Sequence, residues 1–115
     1  MEPLDQRTKR FALNILVAVE GIPRSIAGRA IAGQLVRSGT SVGANYRAAR
    51  RARSKAEFIA KLGVVEEEAD ETLFWLELLR ESGILSREAL EPLLLEANEL
   101  VAIMATSRKT AKVKS

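Results

Sequence analysis

The sequence contains no cysteine and no histidine among its 115 residues. The first absence removes disulfides, thiolate metal ligands, iron–sulfur ligation and thiol nucleophiles together. The second removes the commonest general base, the usual zinc and haem ligand, and the Glu-x-x-His element of di-iron bundles. Aromatic residues are few, with one Trp, one Tyr and three Phe, and only three prolines and seven glycines interrupt the chain. No long hydrophobic run is present. The most apolar stretch, Phe11 to Val19, contains Asn14 and is well short of the roughly 20 residues that a membrane span needs. Nothing at the N-terminus pairs a basic segment with an apolar core and a small-residue cleavage site. These absences point to a cytoplasmic protein that is no enzyme, has no catalytic residues, and needs neither metal nor cofactor.

What remains is ordinary for one small globular domain. Hydrophobic residues at 47% suffice for a single modest core, and 29% charged residues argue against a membrane protein. The net charge of +3 conceals a strong segregation. Residues 24–61 carry nine basic side chains against the single acid Glu57. Residues 62–99 carry eleven acids against Arg80 and Arg87, and the C-terminal stretch from Arg108 is basic again. Such polarity either satisfies itself within a fold or leaves a basic face for a polyanion.

Hydrophobic periodicity predicts four helices. The first runs from about Asp5 to Glu20, stopped by Gly21-Ile22-Pro23, with Phe11, Ile15 and Ala18 as its stripe. The second runs from a Ser25 cap to about Arg51, carrying Ile31, Leu35, Ser38, Val42, Tyr46 and Ala49 at three–four spacing. Its middle, Ser38 to Ala44, is poor in helix propensity because of Gly39, Gly43 and hydroxyl residues. The apolar period nevertheless passes straight through, and small side chains there admit a close neighbour. The spacing therefore predicts one continuous helix, with Tyr46 as a core residue.

Ser54-Lys55-Ala56-Glu57 reads as a capping box opening the third helix, whose seam is Phe58, Leu62, Val65, Ala69, Thr72, Leu76 and Leu79. Gly83 terminates it. Ser86 caps the fourth helix, with Leu90, Leu93, Ala97, Leu100 and Met104 inward; Pro92 should kink or restart it. After Thr106 the chain should fray. The expected organisation is a bundle over residues 1–107 and a basic, disordered tail over 108–115. Short loops between long helices imply an all-α, up-down-up-down antiparallel four-helix bundle.

Three features are candidates for function. Arg47, Arg50, Arg51, Arg53 and Lys55 form a basic cluster, the first three at i, i+3, i+4 on one helical face. Arginines so grouped either bridge to the acidic third helix or hold nucleic-acid phosphates without reading sequence. Glu67, Asp70 and Glu71 share a face with the oxygen ligands a hard cation takes, but such runs are far more often solvated or salt-bridged. Finally, there is more apolar surface than four single stripes require. Leu13, Ile15, Leu16, Val17, Val19 and Ile22 supply part of it, and Trp75 and Leu78 the rest. From this surplus, Leu13, Leu16, Val17, Trp75 and Leu78 are the candidate oligomer contacts.

Three segments resemble a known family. Gln34 to Ala49 is similar to the second helix of the four helix bundle protein family, which includes proteins encoded by intervening sequences in bacterial large-subunit ribosomal RNA genes. Arg53 to Leu62 and Glu68 to Leu79 resemble the start and continuation of that family's third helix, and the similarity spans about residues 8–105. The resemblance implies a small cytoplasmic bundle assembling as a homopentamer. A related branch comprises the accessory variability determinants of diversity-generating retroelements, basic pentamers that bind nucleic acid and a reverse transcriptase. RNA or DNA, and a reverse transcriptase in a retroelement setting, are thus the implied partners beside the protein itself. Many members carry a glutamate where this chain has Ala48 and Ala49, which leaves the end of its second helix more basic.

Overall fold

The computed structural model describes residues 2–114. Four helices follow in order: α1 (Leu4–Val19), α2 (Ile26–Arg50), α3 (Lys55–Ser82) and α4 (Arg87–Val113). Each packs on the next, and α1 meets α4 more sparingly. The result is a rod of 49 × 21 × 20 Å, an all-α four-helix bundle. Ion pairs between the start of α1 and the end of α2 (Asp5–Arg50), and between the end of α4 and α3 (Arg108–Glu66), fit an antiparallel arrangement.

The helix ends follow local chemistry. Ser25, Ser54 and Ser86 each accept a hydrogen bond from the backbone amide three residues on, at Gly28, Glu57 and Ala89. Only half of the expected capping box at Ser54 forms. Among the described residues the Glu57 carboxylate makes no return bond to the serine amide. The α1 stop also differs in mechanism from a glycine cap. Gly21 does not adopt positive φ; successive turn bonds from Glu20, Gly21 and Ile22 tighten the chain instead. Gly83, with φ 74°, is the left-handed terminator of α3.

One expectation about α4 narrows and another needs correction. The helix passes through Pro92 without a restart. Both Pro92 and Glu88, four residues before it, are exposed. Nor does the chain fray after Thr106 or become a disordered tail at 108. It stays helical to Val113, and Arg108 donates to Glu66 on α3 through Nε at 3.1 Å and Nη2 at 2.7 Å. That pair ties the last turns of α4 to its neighbour. Ser115 lies outside the described residues.

The core is the periodic set. Leu35, Val42 and Ala49 of α2 meet the α3 seam and the α4 stripe, all buried except Phe58, which is partly so. Ile15 and Ile22, counted with the surplus apolar surface from sequence, belong to this core. Tyr46 packs against it from a half-buried position, and burial outweighs the nearby Arg50 in pushing its phenol pKa up. The continuous α2 has a packing reason. A β-carbon at Gly39 would lie 3.0 Å from Ile15 Cγ1, and one at Gly43 would lie 3.3 Å from the Thr8 carbonyl oxygen. The small residues are where α1 beds down.

One polar contact crosses the core. Thr72 Oγ1 lies 2.9 Å from Ser38 Oγ and 2.7 Å from the Glu68 carbonyl oxygen. A hydroxyl has one proton, so Thr72 donates to the carbonyl and accepts from Ser38. This pairing satisfies both buried hydroxyls, and it holds α2 and α3 in register.

Candidate nucleic-acid interface

The basic cluster lies where α2 ends and α3 begins. Arg47 and Arg50 fall in the last turn of α2, where cations complement the helix dipole. Arg51 is the C-cap residue, with φ −99° and ψ 11°, and Arg53 precedes the Ser54 cap of α3. All five candidates, Arg47, Arg50, Arg51, Arg53 and Lys55, are exposed. The structure does not gather them into one site. Arg47, Arg50 and Arg51 line a groove of about 780 Å³ between α1 and α2, and Arg53 and Lys55 do not line it.

The groove has a floor of small residues, Ala12, Gly43 and Ala44, and a second wall from α1. That wall brings Lys9 and Asp5, neither of which the sequence reading selected. Their signal was the antiparallel pairing itself, which sets the first turns of α1 beside the last turns of α2. Asp5 Oδ2 sits 2.7 Å from Arg50 Nη1, with both side chains about half exposed. Among the described residues, Arg47, Arg51, Arg53 and Lys55 have no carboxylate within 4.0 Å.

Three acids of the run on α3, Glu66, Glu68 and Glu71, are engaged elsewhere. Arg37, further up α2, donates to Glu68 at 3.1 Å and also pairs with Glu71, whose carboxylate accepts from Trp75 Nε1 at 3.0 Å. The Arg37 guanidinium, and then the indole, hold the Glu71 carboxyl below the usual range. Glu71 is thus drawn toward Arg37 rather than joined to Glu67 and Asp70, and the described residues contain no acidic grouping suited to a metal ion. Arg7 makes the most enclosed of the pairs. It donates to both Glu96 oxygens, at 2.6 and 2.7 Å, and to Glu99 at 3.1 Å. This fork spans the α1–α4 seam and depresses the Glu96 pKa.

The apolar candidates divide into two kinds. Leu13, Leu16 and Val17 stand out from α1, with Leu13 55% and Val17 75% exposed. Trp75 and Leu78 are half-buried, and Trp75 packs against the core. Its neighbour Phe74, not selected from sequence, is 50% exposed and meets the Trp75 ring edge-on at 5.1 Å. No helix is long and apolar enough to cross a membrane among the described residues.

Fold and surface together define a four-helix bundle with a cationic groove at one end and an apolar face on α1. The chain belongs to the 23S rRNA-intervening sequence protein family, whose model matches residues 4–106. It is similar to a crystal structure of a protein of unknown function from the S23 ribosomal protein family of Bacteroides thetaiotaomicron VPI-5482. The two are 33% identical, with a TM-score of 0.86 over 93% of this chain and 99% of that one. No functionally curated protein matches the sequence.

Proposed function

We propose that the protein is a non-enzymatic, homo-oligomeric scaffold, pentameric by its family resemblance, that binds nucleic acid through phosphate contacts. One observation carries the reading: the cluster at the α2–α3 junction leaves Arg47, Arg51, Arg53 and Lys55 exposed and without a carboxylate partner among the described residues. Had these side chains served only internal pairing, the acids of α3 would be expected beside them. Three of them, Glu68, Glu71 and Glu66, pair with Arg37 and Arg108 instead. In a closed ring the cluster would recur once per subunit, so modest contacts would sum to a large basic surface.

Binding should be largely independent of sequence and fall steeply with salt, as counterion release requires. Charge reversal at Arg50 and Arg51 together should abolish retention of RNA or DNA while the oligomeric mass is kept. Wild-type protein that retains neither at low salt would reject the proposal. So would a double variant whose oligomer collapses, which would make the arginines subunit contacts. That second outcome would favour a protein-interaction module with no nucleic-acid role, a reading supported by the exposed apolar face on α1. A reverse transcriptase is a partner to test only where the gene lies in a retroelement.

A further inference from the structure

The α1–α2 groove contains an oddity for a cationic surface: a carboxylate already in place. Asp5 Oδ2 lies 2.7 Å from Arg50 Nη1, within a groove whose other charged lining residues are Lys9, Arg47 and Arg51. We propose that this groove seats a phosphodiester of a nucleic-acid strand, that Lys9 is its contact from α1, and that Asp5 is a resident competitor which the phosphate displaces from Arg50. The proposal deepens the nucleic-acid reading above and rests on it.

Carboxylate and phosphate present the same kind of oxygen pair to a guanidinium fork, so one can stand where the other binds. The exchange is easy in one direction. An ion pair with both members about half exposed is screened and weakly held, so a ligand that also engages Lys9, Arg47 and Arg51 outcompetes it. The short side chains of Ala12 and Ala44 leave room for a backbone to approach, while Gly43 lets α1 lie close, since a β-carbon there would stand 3.3 Å from the Thr8 carbonyl oxygen. Thr40, also on the groove wall, is already committed, its hydroxyl donating to the Val36 carbonyl at 2.6 Å. Beside the cations, Gln6 is the one other side chain of the lining with a donor to offer, and it is neutral, so the cations carry the charge a phosphate needs. Asp5 has a second role that the test must separate. It lies in the first turn of α1, a helix with no side-chain N-cap, and its charge complements the dipole there.

The experiment is fluorescence anisotropy with a labelled single-stranded RNA oligonucleotide, alongside thermal unfolding of each variant. Asp5→Asn should tighten binding about two- to fivefold, the size expected for removing one exposed competing charge, while slightly lowering stability. Lys9→Gln should weaken binding by a similar factor with unfolding unchanged. Lys112→Gln, outside the groove, should leave affinity unchanged. Unlabelled AMP at equal phosphate concentration should fail to displace the RNA; displacement would make this a mononucleotide site and overturn the strand assignment. If wild-type protein binds no RNA at low salt, the nucleic-acid reading itself falls. If wild type binds but Asp5→Asn does not tighten, or Lys9→Gln has no effect, only the groove assignment is overturned. Lys9 is exposed, so its variant keeps the test decisive even if Asp5→Asn fails to fold.

Discussion

Gly39 of α2 lies against Ile15 of α1 so closely that an added β-carbon would stand 3.0 Å from Cγ1 and 3.1 Å from Cγ2 of the isoleucine. Ile15 is 1% exposed and β-branched, so it has little freedom to move aside. Gly33, six residues earlier on the same helix, would meet nothing within 4 Å. The two glycines should therefore respond oppositely to alanine. Gly33→Ala should stabilise by up to about 1 kcal/mol, the ordinary gain in helix propensity. At Gly39 the same gain is opposed by overpacking that typically costs about 1–3 kcal/mol, so Gly39→Ala should be net destabilising. Denaturant midpoints of the two variants check this, and a stabilised Gly39→Ala would show that α1 is not packed as described.

The fork from Arg7 to Glu96 makes a prediction about acid. The hydrogen bond from Arg7, ahead of any other influence, holds the Glu96 carboxyl below its ordinary value. A depressed folded-state pKa stabilises the native protein above the unfolded-state value, and that contribution is lost as pH falls through the lowered one. Stability should thus decline on acidification below the ordinary glutamate range, with Glu71, held down by Arg37, contributing in the same direction. Glu96→Gln should cost about 1 kcal/mol near neutrality and little at low pH, where the wild-type carboxyl is protonated too. Equal losses at both pH values, read from denaturation midpoints, would mean that the fork contributes no charge-dependent stability.

At the start of α3, Ser54→Ala should remove the hydrogen bond accepted from the Glu57 amide, which is 3.1 Å long. The expected loss is about 1 kcal/mol. Glu57→Gln should change little, because the return half of the capping box is not made. An unchanged midpoint for Ser54→Ala would place the serine outside the cap.

The bundle was legible in the sequence because its core is periodic. Leu62, Val65, Ala69, Thr72, Leu76 and Leu79 recur at the spacing that one buried helical face demands, and all six are buried. The continuity of α2 could also be read, since the apolar period survives the glycines that propensity alone would count as a break. The end of α4 was not legible. Lysine-rich sequence after Thr106 looks like a fraying tail, and only a cross-helix partner, Glu66 for Arg108, shows why it stays helical. The groove was half legible. Arg47, Arg50 and Arg51 share a face by spacing, but Lys9 and Asp5 join them only through tertiary pairing. Ile15 is buried as its place in the α1 stripe predicts, whereas Ile22, beyond the end of α1, joins the core through a turn whose path the helical period does not give.

The separation of exposed from half-buried apolar residues decides how self-association should be tested. Trp75→Asp, the obvious choice from sequence, would set a carboxylate beside Glu71 and against the core. It would confound dissociation with unfolding. Leu13 and Val17 are 55% and 75% exposed, so Leu13→Asp combined with Val17→Asp should leave the single subunit folded. Wild-type protein in light scattering at micromolar concentration should have a mass that is a multiple of 12.6 kDa, with five subunits favoured by the resemblance. The double variant should fall to one subunit with its helical circular dichroism unchanged, because charges placed in an apolar contact between subunits are left unpaired and desolvated. A wild-type monomer would end the oligomer proposal. A double variant that keeps the wild-type mass would move the interface away from α1, and Phe74, 50% exposed on α3, would be the next residue to change.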